Sequence, residues 1–335
     1  MATFNIIGNG FDLYHGLPTD YYYFGCYVLS HDECLYDDMA DMYGFCKGII
    51  HGHSEEVERV IADREYWSEF EKSLSFLSAQ WVEGSLQDDL LLEYPDAVEL
   101  EIEKIDRTND IKNIMNQWII DTIDRESNYE LLINLLQTQK IKFNQDDAFL
   151  TFNYTHTLEK VYGVNNVLHI HGEASMEFDS SLILGHGDDE VIEKLEEKIA
   201  TLELDDYDQP SKNREVEYKF EKQILKELRK PVGRCIANLY VFINNISEPN
   251  EIFLYGLSLG NVDLPYLKTI REKWHKCRWN FSYYGEADKK RIREVVEELK
   301  LPEKKWSIFY FNNPDYRMIR EILIKRNGII EYRRI

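Results

Sequence analysis

Four stretches of the chain end apolar runs on residue types whose spacing could do chemistry. In "FNIIGNGFDLYHGLP", residues 4–18, an apolar run breaks into Gly8-Asn9-Gly10, followed by Phe11 and the carboxylate of Asp12. Glycines at 8 and 10 let the backbone approach a ligand, and the amides that open a following helix attract an anion such as a phosphate. The usual dinucleotide fingerprint is incomplete, because Leu13 stands where its third glycine would be and no acid follows on a clear second strand. Asp12 therefore has two readings, a helix cap or a ligand contact.

The second stretch, "FLTFNYTHTLEKVYG" (149–163), ends a strand on Asn153, Tyr154 and Thr155, with a helix expected to begin near Thr155. Polar side chains at the carboxyl end of a parallel strand stand where open α/β sheets bind ligands, although Asn153 or Thr155 could equally cap the helix. In "VLHIHGE" (167–173), His169 and His171 lie two apart on a strand and face the same way, and Gly172 leaves room beside the second. A histidine there suits a general base, because its ordinary pKa is close to neutrality. Together with His186 of "LGHGDD" the pair could also bind a metal, but no further ligands follow at a convincing spacing.

The fourth stretch, "EIFLYGLSLGNVDLPYL" (251–267), contains Gly256-x-Ser258-x-Gly260, the pattern of a serine-hydrolase elbow. An elbow needs a sharp strand-to-helix turn, followed by an acid and then a histidine. Here Gly260 and Asn261 prolong the loop, the helix is expected after Asp263 with Pro265 in its first turn, and the only later histidine, His275, falls inside a helical pattern. Serine hydrolysis is disfavoured.

The elements that must position these loops are legible in outline. Strands are expected at 3–7, 149–152, 167–170, 182–184, 252–255, 279–284 and 306–311, as short apolar runs of the kind buried on both faces of a parallel sheet. Helical patterns at 264–276, 286–299 and 314–326 alternate with the later ones, which predicts an α/β fold: a doubly wound, mostly parallel Rossmann-like sheet with large helical insertions. The expected division is a core over 1–18 and 146–335, with a helical excursion at about 189–247, and a helical insertion subdomain over 19–145. Within that insertion "EEVERVIADREYWSEFEKSLSFL" reads as helix.

Composition narrows the partners. With 39 Lys and Arg against 61 Asp and Glu, the 335 residues carry a formal charge of -22, which repels phosphate backbones and anionic membranes. The densest basic stretches, "KELRK" and "DKKRIREVVEELK", are interrupted by acids and read as solvated helix faces, so no nucleic-acid partner is expected. Five cysteines include no C-x-x-C pair, and neither a basic leader nor a membrane-length apolar run is found, so the expected location is cytoplasmic.

Taken in chain order, a GxG loop, a strand ending on Asn, a strand ending on His-Gly and a strand ending on Gly-x-Ser-Leu resemble the sirtuin-like NAD-binding fold. The resemblance implies that Gly8 and Gly10 hold the dinucleotide phosphates, that Asn153 contacts the nicotinamide ribose and orients its attacker, that His171 is the base, and that Gly256 and Ser258 hold the adenosine side. Asn9, Phe11, Asp12, Thr155 and Asp263 join the binding residues by their place in the same loops. The longer motifs "IIGNGFDLYHGLPTDY", "YWSEFE", "FLTFNYTHTLE", "IHG", "LILGHG" and "YGLSLGNVDLPY" resemble, over most of the chain, the AbiH abortive-infection family of bacterial anti-phage proteins. That similarity makes Glu71 and His186 additional pocket candidates, whereas the helical spacing of Trp67, Phe70 and Glu71 also fits core packing with one exposed acid.

Two departures from the sirtuin pattern bear on the chemistry. The unpaired cysteines cannot build the zinc ribbon of sirtuin deacylases, so lysine deacylation is not expected and no metal is called for. Asn153-Tyr154-Thr155 stands where sirtuins have Asn-Ile-Asp, and Asp12 replaces a small polar residue of the first loop. The expected activity is hydrolysis of NAD, as substrate, at the nicotinamide–ribose bond in response to infection, with a phage-derived trigger or self-association as further partners. Two other readings stand beside it. One is a non-catalytic nucleotide sensor acting through the helical insertion; the other is a metal-dependent nuclease or nucleotidyl hydrolase built on Asp12, His169, His171 and Asp188.

Overall fold

The computed structural model describes residues 2–51, 57–61, 66–67, 69–85, 107–136, 140–176, 182–202 and 209–334. Two compact units divide the chain: a sheet unit of residues 1–20, 116–183 and 231–329, and a second unit of 21–115, 184–230 and 330–335.

The sheet unit is built on six strands, β1 (Phe4–Ile7), β4 (Ala148–Thr151), β5 (Val167–His169), β6 (Glu251–Tyr255), β7 (Arg278–Tyr283) and β8 (Trp306–Tyr310). All five neighbouring pairs are parallel, and the order across the sheet is β5-β4-β1-β6-β7-β8. Counting only these strands along the chain, the order is that of a doubly wound Rossmann-like sheet, in which the direction of winding reverses between β1 and β6. β1 lies at the centre, with Ile6 level with Leu150 on one side and Leu254 on the other.

Both faces are covered, which explains why β1 and β4 are buried along their whole length and apolar except at Asn5 and Thr151, rather than alternating. On one face Phe4, Ile6, Leu150, Ile252, Leu254, Trp279 and Phe281 pack against Leu239 and Ile243 of the helix Val232–Asn244, Leu267 and Ile270 of Leu264–Lys273, and Ile292 and Val295 of Glu286–Glu298. Ile7, Phe149 and Tyr255 cover the other face with Phe11 of the short helix Asn9–Tyr14 and Leu158 of the π-helical turn Leu158–Tyr162. Gly328 closes the last helix, Tyr316–Asn327, in the left-handed conformation.

The expected strand at 182–184 forms no ladder among the described residues; Ile183 N–H donates to His171 O at 2.8 Å and Ile183 O accepts from the Tyr154 hydroxyl at 3.1 Å. Residues 116–145, read from sequence as part of the insertion, belong to the sheet unit, where the helix Glu126–Leu135 packs on the π-helical turn and Asn327 Nδ2 donates to Asn128 Oδ1 at 3.2 Å.

The second unit is not wholly helical. It holds a small sheet in the order β2-β3-β9, formed by β2 (Ile49–His51), β3 (Val57–Ile61) and β9 (Arg333–Arg334), so the helix expected over "EEVERVI" is a strand from Val57. Val, Val and Ile in five residues fit a pleated strand once partners are supplied, and one of those partners comes from the far end of the chain. The helices Tyr21–His31, Glu33–Tyr43 and Phe70–Ser73 enclose an aromatic core in which Trp67 stacks on Phe70 with ring centres 5.7 Å apart. Trp67 and Phe70 are thus packing residues.

Candidate functional site

The loops after β1 and β6 meet where the winding reverses, the crevice at which sheets of this order hold ligands. They meet backbone to backbone. Gly8 N–H donates to Tyr255 O at 3.0 Å, Gly10 N–H to Gly256 O at 2.8 Å, and Gly256 N–H to Ser282 Oγ at 2.8 Å. A Cβ on Gly10 would stand 2.7 Å from Gly256 Cα, and one on Gly256, which also has a φ of +61°, would stand 2.3 Å from the Gly10 carbonyl carbon. The glycines therefore serve first to let the two loops touch.

Asn153, two residues beyond β4, reaches across the same gap: its Nδ2 donates to Gly8 O at 3.2 Å, and its own N–H is held by Thr151 Oγ1 at 3.1 Å. Asn9 turns outward and donates to Thr19 O at 2.9 Å, while Phe11 is fully buried in the aromatic core beneath the loop. In the β6 loop Asp263 Oδ2 accepts from Ser258 Oγ at 3.1 Å and from Gly260 N–H at 3.0 Å, which holds the turn that leads into the helix Leu264–Lys273. Ser258 thus faces an acid of its own loop, and His275, expected inside the helix, is exposed in the turn beyond its end at Lys273, so the elbow pattern has no triad behind it.

Asp12 caps nothing. Gly8 is the cap position of its helix, and no side-chain bond caps that end. The Asp12 carboxylate is 1 % exposed; Oδ2 accepts from Thr155 Oγ1 at 2.6 Å, and Oδ1 has no hydrogen bond among the described residues. Burial pushes its carboxyl up to about 7; the Thr155, Thr157 and Asn153 side chains oppose the shift and the Asp124 charge adds to it.

His171 is buried, edge-on to Phe152, with Nε2 3.4 Å from the Tyr266 hydroxyl. His169 points elsewhere: its ring nitrogens lie 3.1 Å from Asn153 O and 2.9 Å from Glu159 Oε1. The two histidines therefore do not converge, because the chain turns at Ile170 and His171, just past the strand end. Among the described residues no group of three or more His, Cys, Asp or Glu is arranged to hold a metal ion, and no helix is long and apolar enough to cross a membrane.

Glu71 and His186 belong to the second unit, where each has hydrogen-bond partners of its own. Lys230, 4 % exposed, donates from Nζ to Glu71 Oε2 at 2.7 Å. His186 is tied into the same corner by its backbone, which accepts from Lys230 N–H and donates to Leu228 O. Its ring Nε2 donates to Leu225 O at 2.9 Å and its Nδ1 accepts from Asp188 N–H at 3.2 Å, and burial lowers its pKa, so the neutral ring is used at both nitrogens. Gly185 beside it has room for no side chain, since a Cβ would come within 1.8 Å of Leu228 O.

Sequence reasoning missed a polar cluster behind Asp12. His156 Nδ1 donates to Asp124 Oδ2 at 2.6 Å and its Nε2 to Glu173 Oε2 at 3.1 Å; the Asp124 hydrogen bond foremost, with the Asp124, Glu159 and Glu173 charges, raises the imidazole pKa to about 9 against the opposing effect of burial. The Tyr129 hydroxyl donates to Asp124 Oδ1, and Thr157 Oγ1 donates to Thr155 Oγ1 at 3.3 Å. The polar run Thr155-His156-Thr157 was a visible signal, but its partners come from 124–129, with no motif of their own.

Residues 4–283 match the model of the family described as bacteriophage abortive infection AbiH. No curated protein and no solved structure matches the chain.

Proposed function

Since the chain belongs to the bacteriophage abortive-infection AbiH family, and so has a role in phage abortive-infection defence, we propose that its sheet unit binds NAD at the crevice between β1 and β6 and hydrolyses the nicotinamide–ribose bond. The observation that carries the reading is the convergence of the Gly8–Gly10 loop, Asn153 and Gly256 at the reversal of the sheet, with the Asn153 amide bonded to the Gly8 carbonyl. In that reading the dinucleotide lies across the two glycine loops, Asn153 orients water on the ribose carbon as nicotinamide departs, and His171 takes a proton from ribose or water. Loss of NAD then halts the host cell before phage matures.

Incubation of the purified protein with NAD, with and without extract from phage-infected cells, followed by liquid chromatography of the nucleotides, tests it. ADP-ribose and nicotinamide are expected in equal amounts, with turnover reduced about 10²- to 10⁴-fold in His171→Ala, the range for loss of a general base. NAD left intact under every condition refutes the reading.

A second reading, a sensor that holds the nucleotide without cleaving it, draws on one observation: the Gly10 amide that would meet a phosphate is already bonded to Gly256 O. It predicts that NAD raises the melting temperature without being consumed, and that Gly10→Ala abolishes the rise.

A further inference from the structure

Asp12 is a buried carboxylate whose Oδ1 has no hydrogen-bond partner among the described residues, at the crevice end of a run of proton-carrying groups that reaches the surface. The run is continuous. Thr155 Oγ1 touches Asp12 Oδ2 at 2.6 Å, Thr157 Oγ1 touches Thr155 Oγ1 at 3.3 Å, and the Thr157 side chain lies near enough to the Tyr129 phenol to act on its pKa. Tyr129 bonds Asp124 Oδ1, Asp124 Oδ2 bonds His156 Nδ1 at 2.6 Å, and His156 Nε2 meets Glu173 Oε2 at 3.1 Å. Glu173 is half exposed, at 51 % of its side chain, whereas Thr155, Thr157 and Tyr129 are all buried. Every member lies in the sheet unit.

Asp12 Oδ1 makes no hydrogen bond that meets the geometry of one among the described residues, and the side chain of Asn153, the residue assigned to position water, lies near enough to act on its pKa. We propose that Asp12 is a catalytic base of the NAD hydrolysis, accepting the proton of the attacking water at Oδ1 and discharging it to solvent along Thr155, Thr157, Tyr129, Asp124, His156 and Glu173. The inference rests on the NAD-hydrolysis reading and leaves His171 to the ribose hydroxyl.

The step balances without a co-reactant. The bond between the ribose carbon and the nicotinamide nitrogen breaks with its electron pair staying on the ring nitrogen, which discharges the pyridinium. Water oxygen forms the new bond to the ribose carbon, and one of its protons passes to Asp12. The product side carries one proton more than the substrate side, and that proton leaves when His156 releases Nε2–H toward Glu173 and water, turns its ring over, and takes a proton from the Asp124 side on the vacated Nε2, each hydroxyl turning in the direction of transfer. The groups facing Asp12 suit the exchange. Among the described residues the Asp124 charge acts on it, the phenol of Tyr129 is kept protonated by burial and by Asp124, and Thr155, Thr157 and Asn153 are neutral donors. A carboxyl held near neutrality is half ionised at cytoplasmic pH, so it both accepts and releases a proton readily.

Asp12→Asn keeps the shape and removes the base. Steady-state kinetics with NAD should show kcat lowered about 10²-fold or more with NAD still raising the melting temperature, since general-base catalysis is worth about that much. Thr157→Val and His156→Gln interrupt the outlet without touching substrate, and each should lower kcat several-fold, leave KM unchanged, and change the solvent deuterium isotope effect on kcat. In the unliganded protein the infrared band of a protonated carboxyl should titrate near pH 7 and be missing from Asp12→Asn, a readout that needs no activity. Wild-type kcat in Asp12→Asn overturns the inference while leaving NAD hydrolysis by Asn153 and His171 standing. Absence of the titrating band from wild type also overturns it. If wild type never consumes NAD, the underlying reading fails and the inference falls with it.

Discussion

Replacing Asp12 by Asn should change how the stability of the sheet unit depends on pH, and the size of the change follows from burial. The carboxyl has an ordinary pKa of 3.8 in the unfolded chain and about 7 in the folded one. Between those values the folded state holds a proton that the unfolded state has lost, so the stabilisation of the protonated folded form is complete below 3.8 and is lost as pH rises through 7. At about 1.4 kcal/mol per pH unit the full span is worth about 4 kcal/mol, of which about 3 kcal/mol falls between pH 5 and 8.5. Asn fills the same volume, retains an oxygen to accept from Thr155 Oγ1, and does not titrate. Urea unfolding of wild type and Asp12→Asn at pH 5 and pH 8.5 measures this directly. The two proteins should be within about 1 kcal/mol of each other at the lower pH, and the variant should be more stable by about 2–3 kcal/mol at the higher. Parallel stability curves for the two would refute the reasoning, because they would mean that Asp12 is ionised in the folded protein throughout and that burial does not govern its proton.

Three further outcomes follow from the same structure. His156 should contribute in an adjacent window: its pKa is raised from 6.5 to about 9, so its stabilisation is complete below 6.5 and lost as pH rises through 9. His156→Gln should flatten the wild-type curve above pH 6.5, by at most about 3 kcal/mol in unfolding experiments. Gly256→Ala forces a side chain onto the Gly10 backbone at a positive φ, and should cost about 2–4 kcal/mol and abolish any nucleotide-induced shift in melting temperature. Glu71→Ala removes the carboxylate from buried Lys230 and should cost about 3 kcal/mol by thermal unfolding, whereas the double variant Glu71→Ala with Lys230→Met should recover much of it, since the charge left behind and not the lost contact dominates.

The fold was legible wherever a local pattern was sufficient. Short, mostly apolar runs marked β1, β4, β5, β6, β7 and β8 to within a residue or two, because the central strands β1 and β4 are buried on both faces and β6 and β7 over part of their length. The pattern failed over Val57–Ile61, where β-branched residues set among charges read as helix, and where the pairing that makes a strand is supplied by Ile49–His51 and by Arg333–Arg334. It also failed at 182–184, apolar but without a neighbouring strand to pair with among the described residues.

Residue order alone was enough to say which loops carry polar groups, that glycines stand at 8, 10 and 256, and that Asn153 and His171 follow strands. Those facts are local, since each depends on residue type and on the few neighbours that set a strand end. Only the tertiary structure decided that β1 and β6 are adjacent, that the glycines are used on one another, that His169 and His171 part company, and that Glu71 answers Lys230. It alone joined Asp12 to Thr155 and, through Asp124 and His156, to the surface. Partners separated by more than a hundred residues leave no spacing to read, and the pKa of a carboxylate is set by the burial and charges that such partners bring.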